Sequence, residues 1–173
     1  MGVSSLDVRW LSPLRWWAVT SPTLVHVLRL ERTLYDAIVA HAKRDHPDEA
    51  CGIVAGTEGS DTPSRHVPMI NAAGSPTFYE FDSTELLALY KQMWANDEEP
   101  VVIYHSHTAT EAYPSRTDIG LANEPGAHYV LVSTREHGNS EGPVEFRSYR
   151  IVDGEVTEEE VQILDADQQT ASA

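Results

Sequence analysis

Residues 24–164 predict a single α/β domain, a central mixed β-sheet flanked by helices. Three observations lead there. Short β-branched or apolar runs are interspersed with amphipathic segments of helical period, the pattern of one sheet with helices on its faces. "AHYVLVSTR" (127–135) is nearly all apolar and reads as a central strand. Asp153-Gly154 joins two β-rich runs and is the dipeptide of a type I′ hairpin turn. With 173 residues, 41% hydrophobic and 23% charged, the chain suits one real core and is short for two domains.

The elements follow in order. "TLVHVLRL" (23–30) reads as a strand. "ERTLYDAIVAHAKRD" (31–45) places Leu34, Ile38, Val39 and Ala42 at helical spacing and has a basic last turn. Pro47 ends that helix, because the residue before proline leaves the helical region. "EACGIVAG" (49–56) is small, apolar and bounded by glycine, a short buried strand. A loop follows, then the predicted strands "RHVPMINAA" (65–73), weakened by Pro68, and "TFYEF" (77–81). In "DSTELLALYKQMWAND" (82–97), Asp82 and Glu85 have capping-box spacing, and Leu86, Leu89, Tyr90 and Met93 form an apolar face. "PVVIYHSH" (100–107) is a strand, "SRTDIGLANE" (115–124) a short helix, and 144–164 two further strands.

The formal net charge of −15 argues against nucleic acid and against an anionic membrane surface as partners. Part of that charge lies in "DGEVTEEEVQILDAD" (153–167), which reads as a solvated end, with 165–173 as a C-terminal tail. Cys51 is the lone cysteine, so no internal disulfide forms and a cytoplasmic location is expected. Residues 1–23 read as a poorly ordered extension. Pro13, Arg15 and Pro22 interrupt its apolar stretch, so neither a signal core nor a membrane span forms. Trp10, Trp16 and Trp17 in that extension have the alternative of packing on the domain or on a partner.

The chemistry concentrates in "VVIYHSHTATEAYPSRTDIG" (101–120). Residues two apart on a strand point to the same side, so His105 and His107 project together and Ser106 points away. Two imidazoles side by side are costly unless something uses them, and a divalent metal is the commonest such use; the alternative is an ordinary buried strand. Asp118, eleven residues beyond His107, is placed to supply a third ligand once the loop doubles back. Three protein ligands leave one tetrahedral position for water, the arrangement of a catalytic zinc. Ser115-x-x-Asp118 is equally a capping box for a helix starting at Arg116. Glu49, an acid at the head of an apolar stretch, is the candidate base for the water; the alternative is a solvated acid beside Asp48. Cys51, two residues on, either touches the site or is a small core residue. His26, His41, His46, His66, His128 and His137 have no partner at metal spacing.

The set Glu49, His105-Ser106-His107, seven residues, Ser115, two residues, Asp118 resembles the JAMM (MPN+) zinc metallopeptidase motif. "PDEACGIVAG" resembles the glutamate-bearing segment of bacterial members, and the resemblance runs from about residue 24 to about 152. More narrowly, "RDHPDEACG", "HYVLVSTR" and the stretch to Asp118 are similar to actinobacterial members that act on a cysteine-charged sulfur-carrier protein. Many members have proline after H-S-H where this chain has Thr108, which implies a changed loop shape with the chemistry kept.

The resemblance implies a single JAB1/MPN domain of cytidine deaminase-like architecture. It implies one Zn²⁺ held by His105, His107 and Asp118, Glu49 as general base, and Ser115 donating to the oxyanion. The implied partner is a small ubiquitin-like sulfur carrier with a Gly-Gly C-terminus, from which L-cysteine is released in cysteine biosynthesis. Other ubiquitin-like conjugates, or a non-catalytic MPN scaffold, are the alternatives. The oligomeric state is open.

Overall fold

The computed structural model describes residues 26–165. The extension 1–23 and most of the tail 165–173 lie outside the described residues, as do the tryptophans at 10, 16 and 17. Seven strands form one sheet: β1 (Val27–Glu31), β2 (Cys51–Thr57), β3 (Arg65–Met69), β4 (Glu98–His107), β5 (His128–Ser133), β6 (Glu145–Val152) and β7 (Glu155–Leu164). Their order is β1-β7-β6-β5-β4-β2-β3. The sheet is mixed: β1–β7 and β4–β5 are parallel and the other pairs antiparallel. The helices are α1 (Arg32–Asp45), α2 (Ser83–Ala95) and α3 (Arg116–Leu121).

Strand alternation gives each face its own core. Leu28, Leu30, Val54, Val102, Tyr104, Val130 and Val132 pack with Leu34, Ile38 and Ala42 of α1. On the opposite face, Ile53, Ile103, Tyr129, Leu131 and Tyr149 pack with Leu89 and Met93 of α2, and Ile119 of α3 leans on them. The apolar runs of β2, β4 and β5 are thus explained, since each strand is covered on both sides. His105 and His107 share the parity of Ile103, so they emerge on the α2 and α3 side where β4 ends.

The α1 face also buries polar groups. The Tyr104 hydroxyl lies 2.6 Å from His41 Nδ1 and 2.7 Å from His66 Nε2. His41 Nε2 continues the chain to Asp45 at 2.9 Å. A Cβ at Gly52 would overlap the Tyr104 ring and hydroxyl, so the Cys51-Gly52 pair needs its glycine. Asp153 and Gly154 have φ of 51° and 80°, as a type I′ hairpin between β6 and β7 requires.

Three expectations are corrected. "TFYEF" is not a strand: it makes only an isolated bridge, Asn71 to Phe81, because residues 70–81 loop back upon themselves. Asp82 caps α2 through Thr84 and Glu85 N–H, but the Glu85 carboxylate accepts from Ile70 N–H at 3.2 Å, so no reciprocal box forms. The acidic run from 153 is not a solvated end. It builds β7, and Glu159 is buried there, accepting from Ser148 and Arg150 and bonded to His128. Alternation hid this, because the exposed acids at 158 and 160 flank the inward one.

Candidate metal centre and active site

Two neighbouring strands and a short helix bring the predicted residues together. β4 ends at His107, and its pairing with β2 sets His105 opposite Cys51. His105 Nε2 and His107 Nε2 stand 3.1 Å apart. The loop after β4 doubles back, and α3 aims Asp118 Oδ2 at both rings, 3.4 Å from His105 and 3.5 Å from His107. These three side chains offer donor atoms all within 4.8 Å of one another. Both histidines are buried, and the Asp118 side chain is 13% exposed.

Neighbours orient each ring. His107 Nδ1–H donates to Glu111 O at 2.8 Å, which leaves the Nε2 lone pair facing His105 and Asp118. Tyr79 stacks on His105, ring centroids 4.4 Å apart. The capping reading of Ser115 and Asp118 holds at the same time. Asp118 N–H donates to Ser115 Oγ at 3.2 Å, and Asp118 Oδ2 accepts from Ser115 N–H at 2.6 Å. Burial opposes ionisation of Asp118, but its bonds with His105, His107 and Ser115 prevail and hold the carboxyl well below the usual carboxylate range. Burial pushes His105 down towards the neutral form.

Glu49 lies just ahead of β2 rather than on it, and is 6% exposed. It lines a cleft of about 150 Å³ together with His107, Ser115 and Asp118. Burial pushes its carboxyl up to about 7; His107 opposes that rise and Asp118 adds to it. Such a group takes and returns a proton near neutral pH. Its main chain is fastened on three sides. Glu49 N–H donates to Ser75 O at 2.9 Å, Asn71 Nδ2 donates to Glu49 O at 2.9 Å, and the next residue's N–H donates to Ser106 Oγ at 2.8 Å. Ser106, pointing away from the histidines as predicted, thereby ties β4 to the segment carrying Glu49.

Asn71 and Tyr79 escaped the sequence reading. Asn71 Oδ1 accepts from Ala73 and Glu80 N–H while its amide donates to Glu49 O and Phe78 O, so one side chain organises the loop 71–80. An asparagine followed by small residues reads as a turn, and only the long-range bond reveals the rest. Cys51 resolves as a core residue: it is fully buried, its Sγ points to Met69 O, and burial pushes its thiol up to about 12. Of the remaining described histidines, His41, His46, His66 and His128 make structural bonds, His46 to Thr134 Oγ1 among them.

Comparisons with known proteins follow this geometry. Residues 31–152 match the family model "Prokaryotic homologs of the JAB domain". The CysO-cysteine peptidase of Mycobacterium tuberculosis is 63% identical over 141 residues, which cover 82% of this chain and 94% of that protein. The Desampylase of Haloferax volcanii is 32% identical over 111 residues, 61% of this chain and 80% of its own. A Desulfitobacterium hafniense protein solved in solution superposes with a TM-score of 0.69 at 29% identity, covering 86% of this chain and 99% of that one. The family match takes in every residue of the cleft, and the chain belongs to the prokaryotic homologs of the JAB domain, the JAMM peptidases.

Proposed function

We propose that this peptidase hydrolyses the amide between the C-terminal glycine of a small ubiquitin-like sulfur-carrier protein and cysteine, releasing L-cysteine for cysteine biosynthesis in the cytoplasm. The observation that carries the hydrolytic reading is the convergence of His105, His107 and Asp118 beside a buried Glu49 in one cleft. The substrate is supported by the 63% identity to a CysO-cysteine peptidase. A Gly-Gly tail, lacking side chains, suits entry to a narrow cleft.

The donor set fits one Zn²⁺. Two imidazole nitrogens and one carboxylate oxygen converge, and the His107 tautomer leaves its Nε2 lone pair on that side. His105, His107 and Asp118 would hold the ion. When bound, zinc acidifies a water and polarises the scissile carbonyl. Glu49 takes the proton of the attacking water and returns a proton to the leaving amine. Ser115 Oγ accepts from Asp118 N–H, so its own O–H is free to donate to the oxyanion, where one donor is typically worth about 3 kcal/mol.

A second reading, an isopeptidase for other ubiquitin-like conjugates, is favoured by the 32% identity to a Desampylase. One experiment separates the two. The protein is incubated with a carrier–cysteine adduct and, separately, with ubiquitin dimers, reading mass loss and free thiol. Loss of cysteine from the adduct with intact dimers is the expected result. Cleaved dimers beside an untouched adduct would overturn the narrow assignment.

A further inference from the structure

The geometry points to Thr108 as a specificity-determining residue, whose hydroxyl ties the two rims of the cleft together and so favours a leaving group the size of one small amino acid. This rests on the hydrolase reading above and deepens it. One rim is Pro76 and Thr77, in the loop organised by Asn71; the other is Thr108 to Thr110, following the β4 histidines. Thr108 Oγ1 donates to Pro76 O at 2.8 Å and joins them. Position 108 is also the departure from the family pattern, and a proline there has no hydroxyl to make this bond.

Both rims are otherwise fixed. Glu49 N–H donates to Ser75 O, immediately before Pro76, so the first rim is anchored at its base. On the second, Ser133 Oγ donates to Thr110 O at 2.5 Å, and Thr110 Oγ1 lies 3.0 Å from His107 Nδ1. The Thr108 bond closes the remaining span between the two. The cleft so bounded is about 150 Å³ and is lined also by Glu49 and His107, the groups that the proposed reaction sets beside the scissile amide. The reacting groups share that volume, so the space for a leaving group is at most that of one small amino acid such as cysteine. A lysine carried on a protein brings its own backbone and neighbours against the same rims, which must part to admit it and so break the Thr108 bond.

The test compares one Gly-Gly-tailed carrier protein joined to cysteine with the same carrier joined to the lysine side chain of a short peptide. The readout is the ratio of kcat/KM for the two substrates in wild type, Thr108→Val and Thr108→Ser. Thr108→Val, which keeps the shape and removes the hydroxyl, should lower the cysteine-to-lysine ratio about fivefold, the worth of one hydrogen bond. Thr108→Ser should keep the wild-type ratio. A proportional fall for both substrates in Thr108→Val would make the bond a support for Glu49 and His107 alone and overturn the proposal. An unchanged ratio overturns it equally. Wild type that prefers the lysine-linked peptide removes the cysteine assignment, while the shift between variant and wild type still decides the role of Thr108.

Discussion

Ser115 and Asp118 hold each other. The Ser115 hydroxyl caps the Asp118 amide at 3.2 Å, and the Asp118 oxygen that accepts from Ser115 N–H is the one that faces both histidines. The cap therefore sets the carboxylate's direction as well as starting the helix. Ser115→Ala should cost about 1 kcal/mol of stability, the usual worth of an N-cap. On the proposed oxyanion role of Ser115 it should cost far more in rate, about a hundredfold in kcat. Ser115→Thr keeps both hydroxyl roles and should restore most of each. Thermal melts beside kinetics separate the two effects; a rate loss no larger than the stability loss predicts would leave Ser115 as a cap alone.

Glu49 and His107 line the same cleft but should respond differently to substitution. Glu49→Gln keeps the size of the side chain and removes the proposed base, so on the proposed mechanism zinc content should stay near one per chain while activity falls a hundredfold or more. His107→Ala should lose most of its zinc and its activity together. Metal analysis of the purified variants checks both. Zinc lost from Glu49→Gln would make Glu49 a ligand, and zinc retained in His107→Ala would remove His107 from the donor set.

Why the site was legible, and the loop around it was not, follows from the range of the interactions. His105, His107, Ser115 and Asp118 fall within one short stretch, where strand parity and capping geometry are local rules. The type I′ turn at Asp153-Gly154 is local in the same way. Residues 77–81 carry strand-forming side chains, yet Asn71 takes up the Glu80 amide and Phe78 carbonyl that a neighbouring strand would need. Glu159 looked solvated among other acids because His128 and Arg150, which satisfy it, come from β5 and β6.

Asn71 supplies a prediction of its own. Its amide donates to Glu49 O while its carbonyl accepts from Ala73 and Glu80 N–H. Asn71→Asp keeps the acceptor and loses the donors. The loop turn should survive, while the Glu49 carbonyl loses its partner, at about 1–3 kcal/mol for an unsatisfied buried acceptor. The expected result is a fall in kcat with zinc content unchanged. Unaltered kcat in a folded Asn71→Asp protein would show that Ser75 and Ser106 suffice to hold Glu49.

The His41–Tyr104–His66 chain predicts how stability depends on pH. The bonds run in one direction when both imidazoles are neutral. His41 Nε2–H donates to Asp45, the Tyr104 hydroxyl donates to His41 Nδ1, and His66 Nε2–H donates to the Tyr104 oxygen. Burial, with His41 and Arg44 beside it, pushes His66 down to about 4, against about 6.5 in an unfolded chain. Burial lowers His41 in the same direction, with Asp45 opposing. Between about pH 6.5 and about 4 the unfolded state therefore binds the proton that the folded state refuses, and stability falls as pH falls. Above that window His66 adds no pH dependence. His66→Gln retains an amide donor for Tyr104 and does not titrate, so its melting temperature should decline less steeply than wild type over that window. The difference between the two proteins should be constant at higher pH. Parallel curves from pH 8 to pH 4 would show that His66 titrates alike in both states and would sink this account of the buried chain.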